Sequence, residues 1–553
     1  MEKIVKGFPS TVNDDYQLNL WKIVDYIGKV HPDTEVVSYR NLQGGKVHRL
    51  NYELVSKRVK SMVNALEKLG INSGDRIAVL GWNDHRYYES YFSITGIGAV
   101  MLQLNQRLHY TDLEYILGHS QAKALFVDDS LLQIGQQIIK DVKLNFAVIM
   151  GDDPSIMNNL NLGIKLYHYE DLVNENPSVR KFQEIDEKSA ATACYTSGTT
   201  GKPKGVYYSH RSLILHAWGI NTVLKMDPSD TFIAIVPLFH ANGWGVHIAA
   251  SMMGSKLVFP GRYTPESLAN ILINEEVTVG AAAPAILMPL LEVLKKTNPK
   301  PYFEKLRMVS GATEPPIALI KGLKDFGINI IHAYGATETS PLVLANLNKK
   351  KIEKMPDEFR LENARKQGLP VFGVEVKIVD PAGNEIPWDG KSIGELLIKG
   401  PWIAKQYYND ERSNEQFNED FWWKSGDAAV GDENGYIKIV DRIKDLIKSG
   451  GEWISSIDLE NYLMAHPAVL EASVVGVPHP KWEERPIALV VLRPEFKEYD
   501  RNKLEEDMKE HLMKKFAKWQ IPDKIFFVNE IPKSSTGKFD KKTIKNQYKD
   551  IFT

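Results

Sequence analysis

Tyr195-Thr-Ser-Gly-Thr-Thr-Gly-Lys-Pro-Lys-Gly-Val206 packs three glycines, four serine or threonine hydroxyls and two lysines into a dozen positions. Glycine lets a main chain turn at positive φ and come close to a ligand. Successive N–H groups in such a turn form an anion-binding nest, and hydroxyl and ammonium groups add donors. The guest that suits this segment is a polyphosphate. A Walker A loop is excluded, because that motif needs a glycine five positions before its Gly-Lys and a Ser or Thr after the lysine. Here position 196 is Thr196, and Gly201-Lys202 is followed by Pro203. The bland alternative is a flexible Gly/Thr-rich surface loop. The run before it, Ala191-Thr-Ala-Cys-Tyr195, reads as an apolar strand, which puts the loop at a strand exit.

The alternation continues outward from this loop. Leu54, Val55, Val59, Met62, Val63 and Leu66 recur at helical spacing, Gly70 can close that helix, and Ile77-Ala-Val-Leu80 reads as the next strand. Thr264-Pro265-Glu266 reads as an N-cap, a first helical proline and an early acid, with a helix to about Glu275 and a strand over 277–283. A helix over 316–326 and a strand over 328–332 repeat the order. Such alternation predicts an α/β fold of parallel sheets covered by helices, with ligands in loops beyond the carboxyl ends of strands. After Ile439 the style changes. Asp441-Arg-Ile-Lys-Asp-Leu-Ile-Lys448 is charged, Ser449-Gly450-Gly451 follows, and short strands such as 472–477 and 487–492 run with helices to the end. We expect a large N-terminal domain over 1–440, a hinge at 441–448 and a small mobile C-terminal α+β domain over 449–553.

At 553 residues the chain is too long for one ordinary core. Hydrophobic content of 43% and charged content of 25% are ordinary for a globular protein, and a net charge of −2 offers no bulk attraction for nucleic acid. A single cysteine excludes an internal disulfide or a cysteine-rich zinc site, and Cys194 in its apolar run reads as a buried structural thiol. The N-terminus lacks the apolar core of a signal peptide. The longest uncharged apolar stretch, 280–291, is short and carries two prolines, so no transmembrane segment is expected and a cytoplasmic location is.

Four further constellations carry chemistry. His332-Ala-Tyr-Gly-Ala-Thr-Glu-Thr-Ser-Pro341 sets an aromatic and a Thr-Glu pair at a strand exit. A carboxylate beside a phosphate site calls for a cation between them, and Glu338 with the Thr196 hydroxyl would suit Mg²⁺. Taken alone, Thr337 and Glu338 read as helix caps. Trp423-Lys-Ser-Gly-Asp427 ends in a carboxylate able to grip two ribose hydroxyls; alone, it reads as a β-turn aspartate. Pro532-Lys-Ser-Ser-Thr-Gly-Lys538 is a second Gly/Ser/Thr/Lys loop, in the small domain, with Lys538 a cation that domain closure would deliver, or an exposed turn lysine. Pro237-Leu-Phe-His-Ala-Asn-Gly-Trp-Gly245 joins a histidine, small residues and a tryptophan that would wall an acyl pocket; a lone Trp or His is otherwise a core residue.

In order and spacing these motifs resemble the adenylate-forming superfamily of acyl-CoA synthetases, luciferases and peptide-synthetase adenylation domains, over nearly the whole chain. The Phe-His-Ala-Asn-Gly-Trp, Asp-Arg-Ile-Lys-Asp-Leu-Ile-Lys-Ser-Gly-Gly-Glu-Trp and Phe-Ala-Lys-Trp-Gln runs are most similar to thermophilic prokaryotic fatty acyl-CoA synthetases.

The resemblance implies a two-step ligase. A carboxylate attacks the α-phosphorus of ATP to give acyl-AMP and pyrophosphate, and the thiol of CoA then displaces AMP. ATP and CoA are co-substrates, Mg²⁺ is the cofactor, and the relatives suggest a homodimer. It implies that Thr196, Ser197, Gly198, Thr199, Thr200 and Gly201, with Lys204 behind them, hold the β- and γ-phosphates. Thr196 and Glu338 would bind the metal, with Thr337 beside them. Gly311, Ala312, Thr313, Glu314, Pro315 and Tyr334 would pack on adenine, near the backbone of His332 and Ala333. Asp427 would take the ribose hydroxyls, with Arg442 nearby, and Lys538 would bridge the α-phosphate and the substrate carboxylate. Lys444 would be the hinge pivot, with Lys448 and Trp453 near the nucleotide, and Gly450, Gly451 and Glu452 would line the CoA tunnel. His240, Asn242, Gly243, Trp244 and Gly335 would shape the acyl pocket, His240 beside the reacting group. Gly335 stands where acetyl-specific relatives carry tryptophan and is expected to leave room for a longer chain. Gly311-Ala-Thr-Glu-Pro315 looks more like short-chain relatives. A medium- to long-chain fatty acid is therefore expected, with a short or hydroxy acid such as 4-hydroxybutyrate as the alternative. A luciferase-like oxygenase, a peptide-synthetase module and a non-catalytic acyl or nucleotide binder are the rival classes.

Overall fold

The computed structural model describes residues 4–40, 46–160, 163–177, 181–196, 202–298, 303, 306–450, 452–533 and 539–552. Ser197 to Gly201, Gly451 and Lys538 lie outside the described residues.

Capping chemistry sets the helices where the sequence places them. Asn51 accepts a hydrogen bond from the Leu54 N–H and opens the helix Tyr52–Lys68. Gly70, at φ 82, closes it, with Ile71 N–H reaching Leu66 O at 3.1 Å and Gly70 N–H reaching Glu67 O at 3.0 Å. Thr264 caps the helix Pro265–Asn274 in a reciprocal box with Ser267, and Pro265 takes the first position.

Two mainly parallel sheets carry the large lobe. The first runs, edge to edge, Leu369–Pro370, Leu344–Ala345, Asn329–Tyr334, Arg307–Ser310, Val279–Ala281, Thr231–Ile233, Lys256–Phe259, Glu35–Tyr39, Val47–Asn51. The second runs Lys165–His168, Phe146–Met150, Ala124–Asp128, Arg76–Leu80, Val100–Gln103, Ala190–Thr196, Lys204–Ser209. One continuous hydrophobic core draws on both. The helix His85–Thr95 is buried along its whole length. Its charges survive there because they are paired: Glu89 with Arg58 at 2.6 Å, and Arg86 with Glu170 at 2.6 Å and Asp152 at 2.7 Å. Cys194 is buried in the strand Ala190–Thr196, and burial pushes its thiol up to about 12.

Parallel sheets do not account for the whole large lobe. Glu375–Val379, Gly394–Lys399, Trp423–Gly431 and Ile437–Arg442 form a fully antiparallel sheet. Asp427 is therefore a strand residue rather than a turn aspartate. The ladder shifts register between Ala428 and Ala429, and Gly426 takes φ 68, so the strand bends where turn-type residues interrupt its alternation. The strand ending at Arg442 and the next, Ile447–Ser449, are joined by residues 443–446. The C-terminal unit is a five-stranded sheet built on the long hairpin Val469–His479 and Glu483–Leu492, with Lys524–Phe527 parallel to it, and it packs against the helices Ser456–Met464 and Arg501–Met513. Among the described residues no helix is long and apolar enough to cross a membrane.

Candidate active site

The glycine-rich loop leaves the carboxyl end of one parallel strand and returns antiparallel beside it, with Thr196 opposite Lys204. A segment remote in sequence grips the returning limb. Tyr408 N–H donates to Gly205 O at 2.9 Å, and an Arg412 guanidinium N–H donates to Lys202 O at 3.0 Å. Gly205 gives the Tyr195 ring its place, since a Cβ would stand 2.7 Å from that ring and push it aside.

Glu338 lies in the short turn Thr337–Thr339, beside the strand Ala190–Thr196. Tyr208 O–H donates to Thr337 O at 2.7 Å, Ala404 N–H donates to Glu338 O at 2.7 Å, and Tyr407 O–H donates to Glu338 Oε1 at 2.7 Å. The Lys204 ammonium stands 4.2 Å from the centre of the Tyr407 ring. Burial lowers the Lys204 pKa, and the Glu338 charge works against that. Among the described residues no three or more His, Cys, Asp or Glu side chains gather into a metal cage. One buried carboxylate, Glu338, instead fits Mg²⁺, which takes few protein ligands and completes its shell with water and phosphate oxygens.

The strands Arg307–Ser310 and Asn329–Tyr334 pair in parallel, so their carboxyl-end loops, 311–315 and 335–338, lie side by side. Ala312 and Thr313 are exposed, whereas Glu314 turns inward onto the Arg365 guanidinium at 2.5 Å. The Glu314 side chain is thus committed to an ion pair, a detail the motif alone did not carry. Burial raises its pKa and Arg365 opposes the rise. His332 Nδ1 bonds Arg365 O at 2.7 Å, and burial drives that imidazole down to about 4, keeping it neutral. Tyr334 O–H donates to Asp427 Oδ2, and Arg442 Nε lies 2.8 Å from Asp427 Oδ1. The carboxylate is held from both sides yet keeps further lone-pair directions for other donors.

Ala241–Gly245 is a left-handed turn: φ is 45 at Ala241, 57 at Asn242, 56 at Gly243, 57 at Trp244 and 67 at Gly245. Three of these are not glycine, and each costs about 1–2 kcal/mol in this region. Asn242, buried, offsets part of that cost. Its Oδ1 accepts from Gln103 Nε2 at 2.7 Å, Thr192 Oγ1 at 2.8 Å and Tyr91 O–H at 3.2 Å. Asn242 thus anchors the turn from beneath. The turn presents Trp244, whose ring reaches 3.2 Å from where a Gly311 Cβ would be, next to Ala333 O. His240, half-buried, precedes the turn.

Two histidines flank this turn in the core. Burial lowers both His216 and His247 to about 3. Each is neutral in the folded chain, while an unfolded histidine titrates near 6.5. Their contribution to stability is full above about pH 6.5 and falls as pH drops toward 3. Denaturant unfolding at pH 7 and pH 5 is expected to show a loss of about 2 kcal/mol per histidine, with His216→Gln or His247→Gln flattening that slope. An unchanged slope in both variants would refute the assignment.

At Gly335 a Cβ would stand 1.1 Å from Pro341 O. The missing side chain is thus required by a crossing main chain. Its direction is toward Pro341, so room for a longer acyl chain does not follow from this glycine.

The remaining expected residues sit in the C-terminal unit. Lys448 N–H donates to Glu484 Oε2 at 3.0 Å, and its ammonium lies 4.9 Å from the centre of a Trp453 ring. Gly450 takes φ 63, with its N–H donating to Trp482 O at 3.0 Å. Glu452 and Trp453 are exposed. Burial lowers the Lys444 pKa, and Lys545 Nζ donates to Lys444 O at 3.0 Å. The structure thus gathers Lys204, Glu338 and Tyr407 into one cluster, with Thr196 across the ladder from Lys204, and Tyr334, Asp427 and Arg442 into another, and leaves Gly450, Glu452 and Trp453, of the hairpin that pairs Ile447–Ser449 with Glu452–Ile454, exposed. Sequence reading missed Tyr407, Arg365 and Gln103. A lone tyrosine in a polar loop or an arginine at a helix end carries no local signal.

Comparison with known proteins matches the whole assembly. The family model described as "AMP-binding enzyme" matches residues 25–408, and "AMP-binding enzyme C-terminal domain" matches 458–538. The chain is 40% identical over 553 residues to a long-chain-fatty-acid–CoA ligase of Thermus thermophilus, covering 99% of this chain and 98% of that protein. It is 37% identical to a 3-methylmercaptopropionyl-CoA ligase of Ruegeria lacuscaerulensis, covering 96% of this chain and 97% of that protein. Among solved structures, the anthranilate CoA ligase AuaEII in complex with anthranoyl-AMP superposes with a TM-score of 0.84 at 26% identity, covering 96% of this chain and 98% of that chain.

Proposed function

The chain belongs to the AMP-binding enzyme family and is an acid–CoA ligase working through an acyl-adenylate, and from that premise we propose that its acid is a medium- to long-chain fatty acid. The observation that carries this reading is the similarity, over nearly the full length of both chains, to a long-chain-fatty-acid–CoA ligase. The apolar face of Trp244 beside Gly311 supports it, as a wall that an alkyl chain covers without leaving a polar group unpaired.

The residues divide the work. Thr196 and Glu338 hold Mg²⁺, which when bound neutralises charge on the phosphates. The glycine-rich loop and Lys204 cradle the outer phosphates, and Tyr334 stacks on adenine. Asp427, braced by Tyr334 and Arg442, accepts the ribose hydroxyls. Lys538 bridges the α-phosphate and the attacking carboxylate in the first half-reaction. The C-terminal unit then turns about Lys444, and Gly450, Gly451 and Glu452 line the path of CoA. Neither half needs a protein nucleophile, so positioning and charge stabilisation carry the catalysis.

A panel of acids from acetate to palmitate, with hydroxy acids included, tests the substrate. Pyrophosphate release with ATP, Mg²⁺ and CoA is expected to peak between eight and sixteen carbons, roughly, with shallow steps because one CH₂ is worth about 0.8 kcal/mol of burial. A second reading, a short or hydroxy acid, is favoured by the 37% identity to a 3-methylmercaptopropionyl-CoA ligase. A peak at four to six carbons, roughly on the same scale of burial, would replace the first reading by the second.

A further inference from the structure

Arg365 touches both lobes. It ends the helix Asp357–Arg365, and its guanidinium meets Glu314 at 2.5 Å, Glu362 at 2.9 Å and Asp458 at 3.8 Å. Glu314 belongs to the 311–315 loop of the nucleotide site. Asp458 belongs to the first turn of the helix Ser456–Met464 in the C-terminal unit. Lys438 of the large lobe reaches the same Asp458 oxygen at 2.7 Å. Beside it, Asp441 Oδ2 accepts from Ser456 N–H at 2.8 Å and from Ser456 O–H, and Ser455 O–H donates to Val440 O at 2.7 Å. These contacts seat one end of a small-lobe helix on the large lobe, on both sides of the 443–446 connector.

We propose that Asp458, held between Arg365 and Lys438, is a positioning residue that latches the C-terminal unit in the pose seen here and ties that pose to the nucleotide loop through Glu314. In this pose Glu452 and Trp453 face solvent. Resting on the proposed two-step reaction, in which that hairpin must line the CoA path, the latched pose serves adenylation and opposes thioester formation. Turning the unit to the second pose breaks the Asp458 contacts. The latch thus sets how the enzyme divides its time between the two half-reactions. Arg365 and Asp458 are mostly buried, at 8% and 23% side-chain exposure, so solvent screens their pair less than an exterior one.

The test is Asp458→Asn in the full chain, with Asp458→Glu as the conservative partner. Spin labels at Lys391→Cys and Glu498→Cys, both exposed, report the distance between lobes. Asp458→Asn is expected to lower the population at the main inter-lobe distance roughly two- to fivefold, as loss of a modest ion pair should, and Asp458→Glu to restore it. Pyrophosphate formation is expected to slow by the same factor, while thioester formation from supplied acyl-AMP holds or rises. An unchanged distance distribution overturns the latch, as does an equal loss in both half-reactions, which marks a merely structural residue. The distance arm needs no substrate. A wild-type protein inert in both half-reactions would therefore sink the functional reading alone, and the distances would still decide the latch.

Discussion

Lys538→Ala is expected to slow acyl-adenylate formation by about 10²–10³-fold, the loss of roughly 2.7–4 kcal/mol that follows removal of a preorganised donor at developing charge. In the role proposed for it, the cation would act while the substrate carboxylate attacks phosphorus, when negative charge spreads over the inner phosphate. It would have no such task when the CoA thiol attacks the acyl carbon. Thioester formation from supplied acyl-AMP is therefore expected to stay within about twofold of wild type, less than about 0.5 kcal/mol of barrier. Single-turnover measurement of each half separates the two. Equal losses in both would remove Lys538 from the first step and assign it to folding or to general binding.

Gly335→Ala carries the largest structural penalty. The added methyl would stand 1.1 Å from the Pro341 carbonyl oxygen, with its carbon at 2.3 Å, and both are main-chain atoms that no rotamer change can move. The loop carrying Glu338 must shift or the fold must loosen. Unfolding free energy is expected to fall by about 4 kcal/mol or more, and pyrophosphate release by at least about tenfold, a change of 1.4 kcal/mol in barrier. Gly118→Ala is the control. Gly118 lies in the helix Tyr110–Ser120 with nothing within 4 Å of an added Cβ, and alanine there is expected to stabilise by about 0.5–1 kcal/mol. A Gly335→Ala protein as stable and active as wild type would show that the 335–341 crossing yields freely.

Legibility followed the range of the interactions. The helices Tyr52–Lys68 and Pro265–Asn274 were readable because caps and periodicity are local. The antiparallel sheet of 375–442 was not. Its strands are short or interrupted by Gly426 and gain their pairing from partners outside their own segment. Asp427 illustrates the cost: Trp423-Lys-Ser-Gly-Asp427 has turn-type composition, yet it lies in a strand because Gly394–Lys399 pairs with Trp423 and Lys424 and Ile437–Arg442 pairs with Asp427.

What the chain's order of residues carried by itself is the expectation of a phosphate-binding loop. A nest of N–H groups is built from neighbouring residues, and the contiguous run at 195–206 has the composition for one. Only the tertiary structure decided which side chains hold that chemistry in place. Tyr407 reaches Glu338 from 69 positions away and Gln103 reaches Asn242 from 139, while Arg365 meets both the 311–315 loop and the small lobe. Side-chain contacts of this kind depend on where sheets and loops come to rest in space, and no spacing along the chain encodes them.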